Sequence, residues 1–227
     1  MRVAELWRYP VKSMGGEALD RAYLDSLGIA GDRVVHVEDG NGQVITAKTH
    51  PRLLGHHARL DSSGEPLVDG KRWTEPLVKQ KVVDIVGPGA QLIRDESEER
   101  FDVLPLLVAT DGAISAFGHD RRRLRPNIVI SGVQGLAERA WPGYVLRIER
   151  VLIGVRDLRG RCVMTTFDPD SLKQDRDVLR EIVQKFDGRS AVNSYVIRGG
   201  EIRVGDPVEL LDEHKAELWG AQVLTGP

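Results

Sequence analysis

The chain holds a single cysteine, Cys162, within Arg159-Gly160-Arg161-Cys162-Val163-Met164-Thr165-Thr166. A thiolate is the form of cysteine that attacks electrophiles and ligates soft metals, and two nearby guanidiniums favour it over the thiol. The same run also suits a packed strand, because Val163, Met164 and Phe167 are apolar. A free cysteine commonly packs as a small hydrophobe. On its immediate neighbours alone the packed role is the commoner one, so the rest of the sequence has to decide. A lone cysteine closes no internal disulfide, which fits a reducing compartment, and the cytoplasm is the expected location.

Four further clusters carry polar groups at suggestive spacing. In Tyr9-Pro10-Val11-Lys12-Ser13-Met14 a strand ends at a proline and sets a cation beside a hydroxyl. That pair suits a phosphate or a carbonyl-rich ring, or else a solvated turn. Gly28-Ile29-Ala30-Gly31-Asp32-Arg33 is a glycine-bracketed turn whose arginine can reach a ligand bidentately or pair with a surface carboxylate. In Arg121-Arg122-Arg123-Leu124-Arg125-Pro126-Asn127-Ile128-Val129-Ile130 the first three arginines read as a solvated loop. Arg125 and Asn127 lead into an apolar strand and, two residues apart, share one of its faces. A guanidinium fork beside an amide suits a planar heterocycle bearing a phosphate. After the cysteine, strand alternation places Thr166 rather than Thr165 on the Cys162 face.

Absences narrow the chemistry. No C-x-x-C occurs, so thioredoxin chemistry, a zinc ribbon and a self-contained iron–sulfur cluster are not expected. His50, His56 and His57 lie in one segment without a carboxylate at ligand spacing, which argues against zinc. Neither G-x-G-x-x-G after a strand nor a Walker loop is present. Any redox chemistry therefore needs electrons from a separate donor protein. The net charge of -2 gives no bulk attraction to nucleic acid or membrane, and no apolar run approaches the roughly 20 residues of a bilayer span. The first eight residues lack a signal-peptide pattern.

The elements that must position these groups read as mostly β. Arg33–Glu38 and Gln43–Thr46 flank Asp39-Gly40-Asn41-Gly42, a hairpin signal. Strands are expected over Lys81–Val86, Leu124–Ile130, Tyr144–Ile148, Val151–Val155, Ser194–Arg198 and Glu201–Leu211. Two helices stand out: one capped at Thr110-Asp111 and ended by Gly118, and one over Asp175–Phe186 with an apolar stripe. Arg94–Arg100 has almost nothing to bury and reads as a loop or linker.

Taken in order, the motifs Tyr9-Pro10-Val11-Lys12-Ser13, Gly31-Asp32-Arg33, Arg125-Pro126-Asn127-Ile128-Val129, Arg161-Cys162-x-x-Thr165-Thr166-x-Asp168-Pro169 and Val204-Gly205-Asp206-Pro207-Val208 resemble the MOSC family. The resemblance runs from about Val3 to Leu211, and the pattern is most similar to the mitochondrial amidoxime-reducing components and their bacterial counterparts. It implies a mainly β fold, an N-terminal antiparallel β-barrel lobe packed with a MOSC β-barrel and few short helices. The implied layout is a MOSC N-terminal β-barrel region over 1–95, a MOSC domain over 96–211 and a C-terminal tail over 212–227.

Carried over residue by residue, the resemblance makes Cys162 the catalytic centre and the thiolate on the molybdenum of molybdopterin. Lys12, Ser13, Arg33, Arg125 and Asn127 match positions that hold the pterin and its phosphate. Thr110 and Asp111 fall at a helix start beside the cofactor, where backbone N–H groups suit an anion. The chain departs at Gly112-Ala113-Ile114, where relatives often have Ala-Ser-Leu, so no hydroxyl is expected from position 113. The implied function is a molybdenum-cofactor oxidoreductase that reduces N-hydroxylated small molecules with electrons from an external donor protein. The same cationic pocket also suits a sulfur carrier or sulfurtransferase, or a module that carries the cofactor, in each case using Cys162.

Overall fold

The computed structural model describes residues 1–220. Among the described residues four α-helices interrupt a mainly β chain: α1 (Pro76–Val86), α2 (Asp111–Phe117), α3 (Asp177–Phe186) and α4 (Glu213–Leu218). Residues 221–227, the rest of the expected tail, lie outside the described residues. Among the described residues no helix is long and apolar enough to cross a membrane.

Eight strands build one sheet in the spatial order Val208–Leu211, Val145–Ile148, Val151–Gly160, Arg189–Arg198, Leu106–Thr110, Ile128–Ser131, Arg2–Arg8, Glu17–Leu19. All neighbours run antiparallel except Leu106–Thr110 and Ile128–Ser131, whose parallel pairing requires a crossover that α2 begins. Val3, Leu106, Val108, Ile128, Ile130, Leu146, Ile148, Ile153, Val155 and Val192 alternate along these strands and meet in one apolar core. The expected barrel takes the form of an open sheet whose two ends approach. Val3 N–H donates to Asp206 O at 2.9 Å and Val208 N–H to Met1 O at 2.9 Å. No continuous ladder closes it among the described residues, and Pro207, opposite Arg2, has no N–H to extend one.

A second core gathers Val35, Val37, Ala58, Val68 and Leu92 from two small three-stranded sheets, together with Val78 and Val82 of α1. Here the structure overturns one expectation. Lys81–Val86 is the second half of α1, not a strand. Pro76 in the first turn pre-sets the helical φ and lacks only an N–H that would go unused. Val78 and Val82, four residues apart, bury one stripe, and this packing outweighs the strand preference of the β-branched run. The expected strand over Leu124–Ile130 shrinks to Ile128–Ser131, because Arg125 takes a left-handed φ of 56°. The Glu201–Leu211 segment splits into Gly200–Arg203 and Val208–Leu211, which join different sheets.

The helix caps follow the sequence signals. Thr110 Oγ1 accepts from Ala113 N–H at 3.1 Å, and Gly118, left-handed at φ 71°, ends α2. Thr110 Oγ1 also donates to Glu138 Oε2 at 3.2 Å. Glu138 is 1% exposed, and burial raises its carboxyl above the usual 4.5. The folded state thus holds this proton more tightly than the unfolded chain does. The associated stability is full below the unfolded value and is lost as pH rises through the folded one. Glu138→Gln keeps a hydrogen-bond acceptor without the charge. Its melting temperature relative to wild type is expected to rise between pH 4 and pH 8, by a few degrees on the scale of about 1 kcal/mol. A difference that stays flat across that range contradicts the assignment.

Candidate functional site

The site begins where the long Val151–Gly160 strand runs out. Arg161 N–H donates to Gly188 O at 2.9 Å, and the chain then enters a tight 3-10 turn over Val163–Thr166. Cys162, half-buried and extended at φ −131°, stands at the head of that turn. Its carbonyl is held by Thr165, through N–H at 3.0 Å and Oγ1–H at 2.8 Å. The turn fixes the backbone while leaving the thiol on the wall of a cavity.

That cavity brings together Cys162 with Lys12, Ser13, Arg33, Arg125 and Asn127, residues drawn from four separate stretches of chain. Lys48, Arg123, Arg159 and Arg161 also line it, which makes seven cations facing a single lining carboxylate, Asp102. Lys12 Nζ contacts Asp102 at 2.8 Å and donates to Arg100 O at 3.0 Å; Lys48 reaches Asp102 at 3.1 Å. Against the burial that would raise it, these two lysines hold the Asp102 carboxyl down at about 2. Ser13, left-handed at φ 71°, accepts from Ala47 N–H at 3.0 Å, so its own O–H is free to donate.

Beneath the cavity lies a buried polar knot. Asp32, fully buried, accepts from Tyr9 N–H at 2.7 Å, from Asn127 Nδ2 at 3.1 Å and from the Arg33 guanidinium. Asn127 also accepts from Leu107 N–H at 3.1 Å and donates to Trp7 O at 3.3 Å. Its amide is therefore committed to joining two strands, and its part in the site is to hold the wall rather than to donate to a ligand. The Arg125 guanidinium lies 4.3 Å from the Tyr9 ring centroid and has no hydrogen-bond acceptor among the described residues. Burial, with Arg33 adding repulsion, lowers its pKa to about 10, and burial does the same to Arg161. Arg161 donates to Leu124 O at 2.7 Å, while its Nε, like that of Arg123, is buried without a partner among the described residues. Guanidiniums under-supplied with protein acceptors are suited to receive an anion.

Three expected site residues lie away from this cavity. Thr110 is spent on the α2 cap and Glu138. Asp111 accepts from the N–H groups of Gly112, Gly132 and Val133 at 2.9, 2.7 and 3.0 Å. Thr166 donates to Val163 O at 2.6 Å and accepts from Gln174 Nε2 at 3.2 Å. The rule that favoured Thr166 assumed strand alternation; a 3-10 turn repeats every three residues, so Thr165 returns to the Cys162 side.

A family profile described as the MOSC domain matches residues 111–209, and one described as the MOSC N-terminal beta barrel domain matches residues 1–81. The chain belongs to the MOSC family. Among MOSC relatives, human mitochondrial amidoxime-reducing component 1 is 25% identical over 93% of this chain and 83% of its own length. Mitochondrial amidoxime reducing component 2 of Macaca fascicularis is 24% identical over 91% of this chain and 82% of its own. The YUAD protein of Bacillus subtilis superposes with a TM-score of 0.48 at 12% identity, over 93% of this chain and 95% of that one.

Some MOSC cavity residues escaped the reading of the sequence. Arg123 is the clearest: far from being solvated, its side chain is 9% exposed and pairs with Asp168 at 3.1 Å and Thr165 O at 3.3 Å. Its neighbours behave differently, Arg121 pairing with Glu5 and Arg122 with Asp120 and Asp170. Asp168 of the Thr-Thr-x-Asp-Pro run was the available signal. Nothing local marks Lys48 or Asp102. Among the described residues no three His, Cys, Asp or Glu side chains converge as a metal-binding group.

Proposed function

We propose that the cavity binds a molybdenum cofactor of the molybdopterin type, with Cys162 as the protein thiolate on the metal. We further propose that the loaded protein reduces N-hydroxylated small molecules with electrons from a separate donor protein. The observation that carries this reading is one half-buried thiol on a wall with seven cations and one carboxylate. A single protein thiolate suits a soft metal whose other ligands arrive with an anionic cofactor, and the cation excess suits that cofactor's phosphate and carbonyl groups. The donor set present therefore fits the group. When bound, molybdenum would supply two-electron oxygen-atom transfer. The chain's own share is to hold: Lys12, Arg33 and Arg125 supply positive charge, Ser13 a hydroxyl, and Thr165 fixes the Cys162 backbone. Membership of the MOSC family and the amidoxime-reducing relatives support the same reaction class.

The test is metal and pterin analysis of protein purified from a molybdopterin-producing host, followed by reduction of benzamidoxime with reduced methyl viologen as electron source. Stoichiometric molybdenum with turnover is the expected result. Metal-free protein that instead accepts a persulfide on Cys162 from a cysteine desulfurase would replace this reading with the sulfur-carrier one.

A further inference from the structure

Two guanidiniums that both line the cavity, Arg33 and Arg125, repel each other and are partly withdrawn from water. Their common neighbour is Tyr9, whose ring centroid lies 5.3 Å from Arg33 Cζ and 4.3 Å from Arg125 Cζ. The ring is 4% exposed and cannot easily turn. Its hydroxyl donates to Pro126 O at 3.1 Å, and it packs against Gly16, where an added Cβ would sit 2.5 Å from ring carbon Cδ1. Its backbone joins the same knot: Tyr9 N–H donates to Asp32 and Tyr9 O accepts from Arg33 N–H at 2.8 Å. Both arginines are left-handed at φ 56°, a backbone conformation that a bulky side chain adopts only when its surroundings hold it there.

We infer that Tyr9 is a positioning residue whose aromatic ring holds Arg33 and Arg125 on the wall of one cavity as an anion seat. An aromatic face attracts a cation by its quadrupole without adding a countercharge. Asp32 already pairs with Arg33, so a second carboxylate in the place of Tyr9 would neutralise the seat, whereas an aliphatic side chain would let the two cations separate. Burial keeps the phenol itself protonated, its pKa raised to about 12, so the ring never competes as an anion. Tyr9 therefore organises the seat without touching what sits in it. The inference rests on the cavity being the cofactor site, and its test uses inorganic phosphate so that the two ideas fail separately.

The full chain, made in a host that cannot synthesise molybdopterin, is titrated with inorganic phosphate by calorimetry. Tyr9→Leu is expected to weaken binding about tenfold, whereas Tyr9→Phe, which keeps an aromatic face of the same size, stays within about threefold. A purely structural role would be followed by the melting temperature rather than by aromaticity, so Tyr9→Phe rescue is the discriminating result. Equal phosphate affinity in Tyr9→Leu and wild type overturns the role of Tyr9 and leaves the cavity reading intact. No phosphate binding by wild type overturns both. Should Tyr9→Leu fail to fold, the wild-type chain still decides by NMR. The Arg33 and Arg125 Nε–H signals are expected upfield from ring current, and they should be the ones that move on phosphate addition. Random-coil positions for both overturn the inference.

Discussion

Cys162→Ala is expected to cut the molybdenum content of purified protein by about tenfold or more, since under the proposed assignment it removes the one protein thiolate from the metal. The fold should hardly notice. The side chain is half-buried, and its turn is fixed by backbone contacts from Thr165 that alanine leaves in place. A melting temperature within a few degrees of wild type is therefore expected, on the scale of a substitution of about 1 kcal/mol or less. Pterin is expected to fall less than metal, because the cationic wall persists. Elemental analysis beside pterin fluorescence after oxidation separates the two. Molybdenum content equal to wild type would remove Cys162 from the metal.

Asp32→Ala carries the largest expected loss of stability. Asp32 is fully buried and gathers the Tyr9 N–H, the Asn127 amide and the Arg33 guanidinium. Deleting the carboxylate strands three donors at once, and breaking a buried ionic group in this way costs about 3–5 kcal/mol. The urea midpoint should fall accordingly with little change in slope. Asp32→Asn is expected to lie in between: it restores one acceptor but turns its own N–H₂ toward donors. A loss below about 1 kcal/mol for Asp32→Ala would mean that water satisfies these groups and the knot is not structural.

Much of this architecture was legible because its signals are local. The α2 cap at Thr110 and the glycine at 118, the hairpin around residues 39–42 and the alternation of the large sheet each depend on residues a few positions apart. The site was only partly legible because its decisive contacts are not local. Arg123 looks like any loop arginine until Asp168 and Thr165, more than 40 residues on, are folded against it. Asp102 acquires meaning only beside Lys12 and Lys48. Cys162 shows the same limit from the other side: its neighbours fit a packed thiol, and only the convergence of distant cations gives it something to face. Where periodicity misled, the chain had changed period, from two per repeat in a strand to three in the Val163–Thr166 turn and to 3.6 in α1.

The open sheet has a consequence for the order in which the protein is made. Val3 bonds to Gly205 and Asp206, and Trp7 bonds to Asn127. On the ribosome, at 5–20 residues per second, the first strand waits roughly 10–40 s for its last partners to appear. Before Ile128–Ser131 is made, Val3 and Leu6, both destined for the interior, have only the short Glu17–Leu19 strand to pair with, and the Val3 bonds to Gly205 and Asp206 form last. Tyr9, one residue beyond that strand, is equally early, while Arg125 and Cys162 arrive much later. The anion seat therefore cannot exist until Arg125 has been made, and a cofactor that also needs Cys162 must be delivered after synthesis has passed that residue.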